Sequence, residues 1–71
     1  MERFGEKLHI LRNRRRLTLR ELGDMLEVSH TFVAQMEKGG KTPNVAMILK
    51  IARLFAVSTD VLIKDELELE D

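Results

Sequence analysis

Apolar positions recur every three or four residues along most of the chain and almost nowhere at a period of two, a pattern that predicts helices throughout. Phe4, Leu8 and Leu11, spaced i, i+4, i+7, predict a helix over residues 3–15. Gly5 weakens its first turn by up to ~1 kcal/mol relative to Ala. Leu17 leaves that helix and is expected to tuck into the core. Thr18 and Glu21 form the S/T-x-x-E pattern of a capping box, which satisfies orphan backbone donors at a helix start. Leu22, Met25 and Leu26 give this second helix its apolar stripe to about residue 26. Glu27-Val28 reads as a turn, with Val28 as a plug. Ser29 caps a third helix to about residue 38, striped by Val33 and Met36. Gly39-Gly40 stops it by offering a left-handed backbone. Thr42 as N-cap and Pro43 at the first helical position start a fourth helix. Val45, Ile48, Leu49, Ala52 and Phe55 are its expected hydrophobic backing. Ser58 caps a short fifth helix, where Asp60 favours the positive end of the dipole and Val61 and Leu62 anchor. Only Leu67 and Leu69 alternate. The expectation is an all-α domain of five helices.

The stretch from Leu19 to Lys38 carries the most information. Two short amphipathic helices are joined by a turn of only three or four residues, and Gly23 falls where the second crosses the first closely. Such a pair buries little by itself, so the second helix is presented outward by a supporting core. That is the geometry of a helix-turn-helix, whose second helix enters the major groove of DNA. Its solvent side offers Ser29, His30, Thr31, Ala34, Gln35 and Lys38, short polar or cationic groups suited to base edges and phosphates.

Composition narrows the alternatives. Seventy-one residues make one small domain. The absence of cysteine removes disulfides and thiolate zinc sites, and His9 and His30 have no metal-ligand spacing. No 18-residue apolar run and no signal-peptide pattern occur, so the expectation is a cytoplasmic protein away from membranes. The net charge of zero hides a segregation. Asp65, Glu66, Glu68, Glu70 and Asp71 are five of the 12 acids; 12 − 5 leaves 7 acids against all 12 bases, so residues 1–64 carry +5. Arg12, Arg14, Arg15, Arg16 and Arg20 cluster within nine residues. A basic body followed by an acidic tail over 65–71 points to a polyanionic partner.

The order of elements resembles the Cro/phage-repressor type of helix-turn-helix domain (the XRE family) over residues 3–64. The matching text runs from Phe4-Gly5-Glu6-Lys7-Leu8 through Leu11-Arg12, Leu17-Thr18, Glu21-Leu22 and Val28-Ser29. It continues with Met36-Glu37-Lys38-Gly39, Pro43 and Leu49-x-Ile51-Ala52, and ends at Val57-Ser58-x-Asp60-x-Leu62. The resemblance implies a lambda-repressor-like fold over 1–64. It also implies sequence-specific binding of double-stranded DNA, usually by a homodimer on a roughly palindromic operator, with transcription repressed or activated as the result; repression is the expected sign. It pairs Arg12 with Glu37 as an ion pair between the first and third helices; both lie beside apolar neighbours, where burying either alone costs on the order of 3–5 kcal/mol. Two positions depart from the family pattern. Glu27 stands where a glycine is usual, so a left-handed turn there costs roughly 1–2 kcal/mol. Leu19 stands where a phosphate-reaching Gln is common, leaving its backbone N–H to meet phosphate.

On this reading His30, Thr31, Ala34 and Gln35 contact bases. Gln can bond adenine through two groups, Thr can bond a base or touch a thymine methyl, and Ala permits close approach. Arg16, Leu19, Arg20, Ser29, Lys38, Lys41, Thr42 and Asn44 contact phosphates, the last four of the loop following the family's backbone-tracking segment. Phe55, Val57, Leu62 and Ile63 are more apolar than one small core needs and form the expected dimer surface, unless they complete the monomer core. The tail has three readings: a frayed end, an edge offered to a partner subunit by Leu67 and Leu69, or a shield that repels DNA. A protein-interaction module, or an antitoxin-type partner built on the same fold, is the alternative function, but its recognition face would be apolar. No nucleophile with a base, metal cluster or phosphate loop suggests an enzyme, and no cofactor or small-molecule effector is implied.

Overall fold

The computed structural model describes residues 1–70 as five helices: α1 (Phe4–Arg14), α2 (Leu19–Leu26), α3 (His30–Glu37), α4 (Val45–Phe55) and α5 (Thr59–Ile63). α3 is sandwiched against α1 and α2, while α5 packs on α1 and α4. Phe4, Leu8, Leu11, Leu22, Leu26, Val33, Met36, Ile48, Ile51, Ala52, Phe55 and Leu62 form one continuous core. Two glycines set its closest approaches. A Cβ on Gly5 would meet Glu37 O and lie 2.6 Å from Met36 O, and one on Gly23 would lie 2.7 Å from Val28 O. The first lets α1 cross the end of α3; the second lets α2 cross the start of α3.

Helix starts follow local side chains. Thr18 Oγ1 accepts from Glu21 N while Glu21 Oε1 accepts from Thr18 N, a complete capping box. Ser29 Oγ accepts from Phe32 N and Ser58 Oγ from Val61 N. The start of α4 differs from expectation. Asn44, not Thr42, is the cap, its Oδ1 accepting from Met47 N at 2.8 Å. Pro43 lies before the helix and is buried.

Four helix ends share one device. In each, a residue one or two positions past the helix adopts a left-handed backbone and the next residue's N–H returns to a carbonyl five positions back. The bonds are Leu17 N to Arg12 O, Val28 N to Gly23 O, Gly40 N to Gln35 O and Val57 N to Ala52 O. The left-handed residues are Arg16 (φ 54°), Glu27 (φ 62°), Gly39 (φ 82°) and Ala56 (φ 54°). Leu17, Val28 and Val57, which follow three of them, pack back on the core, the apolar contact that accompanies this motif.

Three apolar expectations are corrected. Met25 (52% exposed), Val45 (74%) and Leu49 project into solvent, because the core reaches α2 along Leu22 and Leu26 and α4 along Ile48, Ile51, Ala52 and Phe55. Conversely, Phe55 and Leu62 are buried in the monomer and are removed from any dimer surface. Val57 is half-buried as the apolar end of the α4 motif, and of the four only Ile63, 39% exposed, is free to meet a partner.

The tail is fastened to α1. Lys7, fully buried, donates from Nζ to Val61 O (2.7 Å), Lys64 O (2.9 Å) and Leu67 O (2.7 Å). These carbonyls lie in and just beyond the last turn of α5, where the helix dipole favours a cation. α1 has no local side-chain cap. Asp65 supplies one from 62 residues away, accepting from Glu2 N and Arg3 N at 2.9 Å each. Arg3 grips Glu68 and the Asp65 carbonyl, and Arg14 reaches Glu70 O. Over 65–70 this replaces the frayed end. Asp71 lies outside the described residues.

Candidate nucleic-acid interface

The outward face of α3 follows from how its inward face is held. Val33 and Met36 are buried, and half-buried Phe32 packs on the core edge. That phase leaves His30, Thr31 and Gln35 exposed and Ala34 half-buried. None of the four side chains makes a hydrogen bond or ion pair to the described residues. The tail runs along Arg3, Lys7 and Arg14 of α1 and its approach, and covers neither Thr31 nor Gln35.

The arginine run divides by role. Arg12 binds Glu37 through Nε–Oε2 at 2.6 Å and Nη2–Oε1 at 3.1 Å, and donates from Nη1 to Leu17 O. The paired side chains are only 13% and 8% exposed, so this pair ties α1 to α3. Donating to the Glu37 carboxylate raises the Arg12 pKa above its ordinary value. His9 joins through Nδ1 to Glu37 Oε1 at 2.8 Å, and its Nε2 faces Asn13 Nδ2 at 3.0 Å. With Nδ1 donating to Glu37 and Nε2 accepting from Asn13, Arg12 Nη2, 3.2 Å from Nδ1, is a contact only. Arg15 donates to Leu54 O and lies 5.0 Å over the Phe55 ring. With Arg14 on the tail, three of the five arginines face internal work. Arg16 and Arg20 remain exposed beside the start of α2, their guanidinium groups making no hydrogen bond or ion pair to the described residues.

At the other end of α3, Lys38, Lys41 and Thr42 are exposed around Gly39-Gly40, and neither lysine holds an ion pair among the described residues. Ser29 and Asn44 are exposed but use their side-chain oxygens as helix caps. A contact from Asn44 to phosphate would therefore fall to its amide nitrogen. Leu19 is half-buried against the core. Unpaired cations thus flank a polar helix face on both sides. Lys50, which sequence reading passed over, donates to Leu26 O at 3.0 Å and meets Glu27 Oε2 at 3.3 Å, steadying the turn that leads into α3. Among the described residues no cluster of three or more His, Cys, Asp or Glu could hold a metal ion, and no helix is long and apolar enough to cross a membrane.

Comparison with known proteins agrees with this geometry. Residues 8–62 match the model of a family described as helix-turn-helix. Over 63 residues, 89% of this chain, the sequence is 36% identical to the HTH-type transcriptional activator BcrR of Enterococcus faecalis; the chain spans 31% of that protein's length. The fold is similar to the P22 c2 repressor in complex with a synthetic operator, with a TM-score of 0.82 and 27% identity, over 89% of this chain and 96% of that one. It is similar also to the solution structure of the P22 c2 repressor DNA-binding domain, at 0.80 and 26%, over 96% and 90%. The restriction-modification controller C.AhdI of Aeromonas hydrophila, at 0.76 and 24% over 87% and 90%, shares the fold.

Proposed function

The chain belongs to the helix-turn-helix family, in its Cro/phage-repressor type, and from that membership we propose that it binds double-stranded DNA sequence-specifically and regulates transcription as a homodimer. α3 enters the major groove. Gln35 and Thr31 read base edges, Gln through the two-point bond open to adenine, with His30 and Ala34 completing the face. Arg16, Arg20, Lys38 and Lys41 neutralise phosphates on either side, together with Ser29, Thr42, the Asn44 amide and the Leu19 N–H. These contacts set register; base contacts set specificity. The observation that carries this reading is the polar face of α3, exposed and without internal partners, between unpaired cations. A protein-docking helix would be expected to show an apolar face there.

One such domain covers roughly 600–1,000 Å² of DNA, small for a regulator. The longest extent of the domain is 28 Å, shorter than the ~34 Å between successive major grooves on one side of the duplex. Two copies therefore sit side by side on a two-fold site without overlap, with Ile63 and the exposed α4 face, Val45 and Leu49, available where they approach. A dimer placed over a promoter excludes polymerase, so repression is the proposed outcome. Selection from random duplexes by mobility shift, followed by sequencing, tests the proposal. The expected product is a palindrome whose half-sites lie one helical turn apart. Recovery of no preferred sequence overturns it.

A further inference from the structure

Beside α3 lies a cleft lined by Glu6, His9, Arg12, Leu19, Ala34, Glu37 and Lys38. Its charges are already matched. Glu6 accepts from Arg3 Nη2 at 2.8 Å, and Glu37 is held by Arg12 and His9. Among the lining residues only the Lys38 ammonium is left without a partner. Leu19 and Ala34, both half-buried, contribute carbon surface to it. Ala34 stands one turn after His30 and one before Lys38 on α3, so the cleft is continuous with the proposed DNA face. Leu19 adjoins Arg20 at the start of α2.

We propose that Leu19 and Ala34 together seat the C5-methyl group of one thymine in each half-site, so that Leu19 is a specificity residue through its side chain and not only through its backbone N–H. This rests on the DNA-binding reading above. The chemistry favours one occupant. The major groove presents acceptors and donors at every base pair, and its one apolar group is the thymine methyl. A polar base edge pressed on Leu19 and Ala34 would lose its water without gaining a hydrogen bond. A methyl loses nothing, while Lys38, which lines the cleft, and Arg20, next to Leu19 in the chain, hold the adjoining phosphates.

The test uses the intact chain and the operator obtained by selection. Each thymine is replaced in turn by uracil, which removes the methyl and leaves the pairing edge unchanged. One thymine per half-site is expected to lose about fourfold in affinity, the worth of one buried methyl-sized group. With Leu19→Gln and with Ala34→Ser, checked for folding by melting, that penalty disappears while penalties at other positions persist. Because the uracil scan alters only DNA, it reports even if Leu19→Gln weakens the fold. The inference is overturned if no thymine shows a penalty, or if the penalty survives undiminished in both variants. If the chain selects no operator at all, the DNA-binding reading itself has failed, a result distinct from specific binding that ignores methyl groups.

Discussion

Three residues with a Cβ occupy left-handed positions that glycine fills more easily, and they need not be there for the same reason. Arg16, Glu27 and Ala56 each end a helix by the motif that Gly39 completes after α3. Each costs roughly 1–2 kcal/mol against glycine, partly offset by the greater freedom of glycine in the unfolded chain. Glu27 recovers little of this, since its contact with Lys50 is largely solvent-exposed. Glu27→Gly is therefore expected to raise Tm by about 4 °C in thermal melts, with operator affinity unchanged; an unchanged or lower Tm sinks the strained-turn account. Arg16→Gly should raise Tm similarly but weaken binding to all sequences alike, flattening the salt dependence by about one unit per domain bound. Equal affinity and salt slope for Arg16→Gly and the parent chain would show that Arg16 touches no phosphate. Gly39 announced its turn in the sequence because glycine is a local signal. Arg16 and Ala56 did not, because their conformation is imposed by Leu17 and Val57 returning to the core.

At the scale of elements, what was legible followed from local chemistry, and what was missed depended on distant partners. Thr18, Glu21, Ser29 and Ser58 act within one helical turn, so their caps could be read from spacing alone. The start of α4 was misplaced because Thr42-Pro43 and Asn44 offer equivalent local signals, and the burial of Pro43 decides between them. Periodicity gave the apolar side of α4 but not its phase, so Val45 and Leu49 were assigned to a core that Ile51 fills instead. Of the interface residues, the polar face of α3 was legible from helical spacing; the diversion of Arg14 and Arg15 was not, since it depends on Glu70 and Leu54. The contact of α1 with α3 centres on Arg12–Glu37 and carries a separable prediction. Removing either partner strands a nearly buried charge, so Arg12→Met or Glu37→Leu alone should cost about 3 kcal/mol in urea unfolding. The double variant should cost clearly less than the sum, because neither charge is then orphaned. Strict additivity would mean the two groups do not interact in solution.

Over the whole molecule, the two ends of the described chain are closed on each other, and the group at the centre is a cation that hydropathy would place outside. Lys7 lies in the core because three carbonyls near the end of α5 converge on its ammonium. Lys7→Met keeps the bulk but leaves those carbonyls unsatisfied at roughly 1–3 kcal/mol each where they stay dry, so it should lower Tm and expose the 65–70 segment to protease. An unaltered digestion pattern would show that the segment is held by other contacts. The clamp also has a pH signature. Hydrogen bonds from Arg3 N and Glu2 N, with the N-terminal ammonium adding to them, lower the Asp65 pKa from 3.8 to about 2. Glu68 is lowered by Arg3, and Glu21 by the Thr18 backbone N–H. A carboxylate depressed in the folded state binds its proton more readily once unfolded. Its contribution is thus complete above the ordinary value near 3.8 and drains away as pH falls toward 2. Asp65→Asn removes that titration while keeping an oxygen to accept from the backbone. Urea melts at steps from pH 7 to pH 2 should find the variant less stable at neutral pH and flatter below pH 4 than the parent chain, though not flat, since Glu68 and Glu21 still titrate. The two curves should converge near pH 2. Curves that stay parallel throughout would mean the Asp65 carboxylate does not cap α1 in solution.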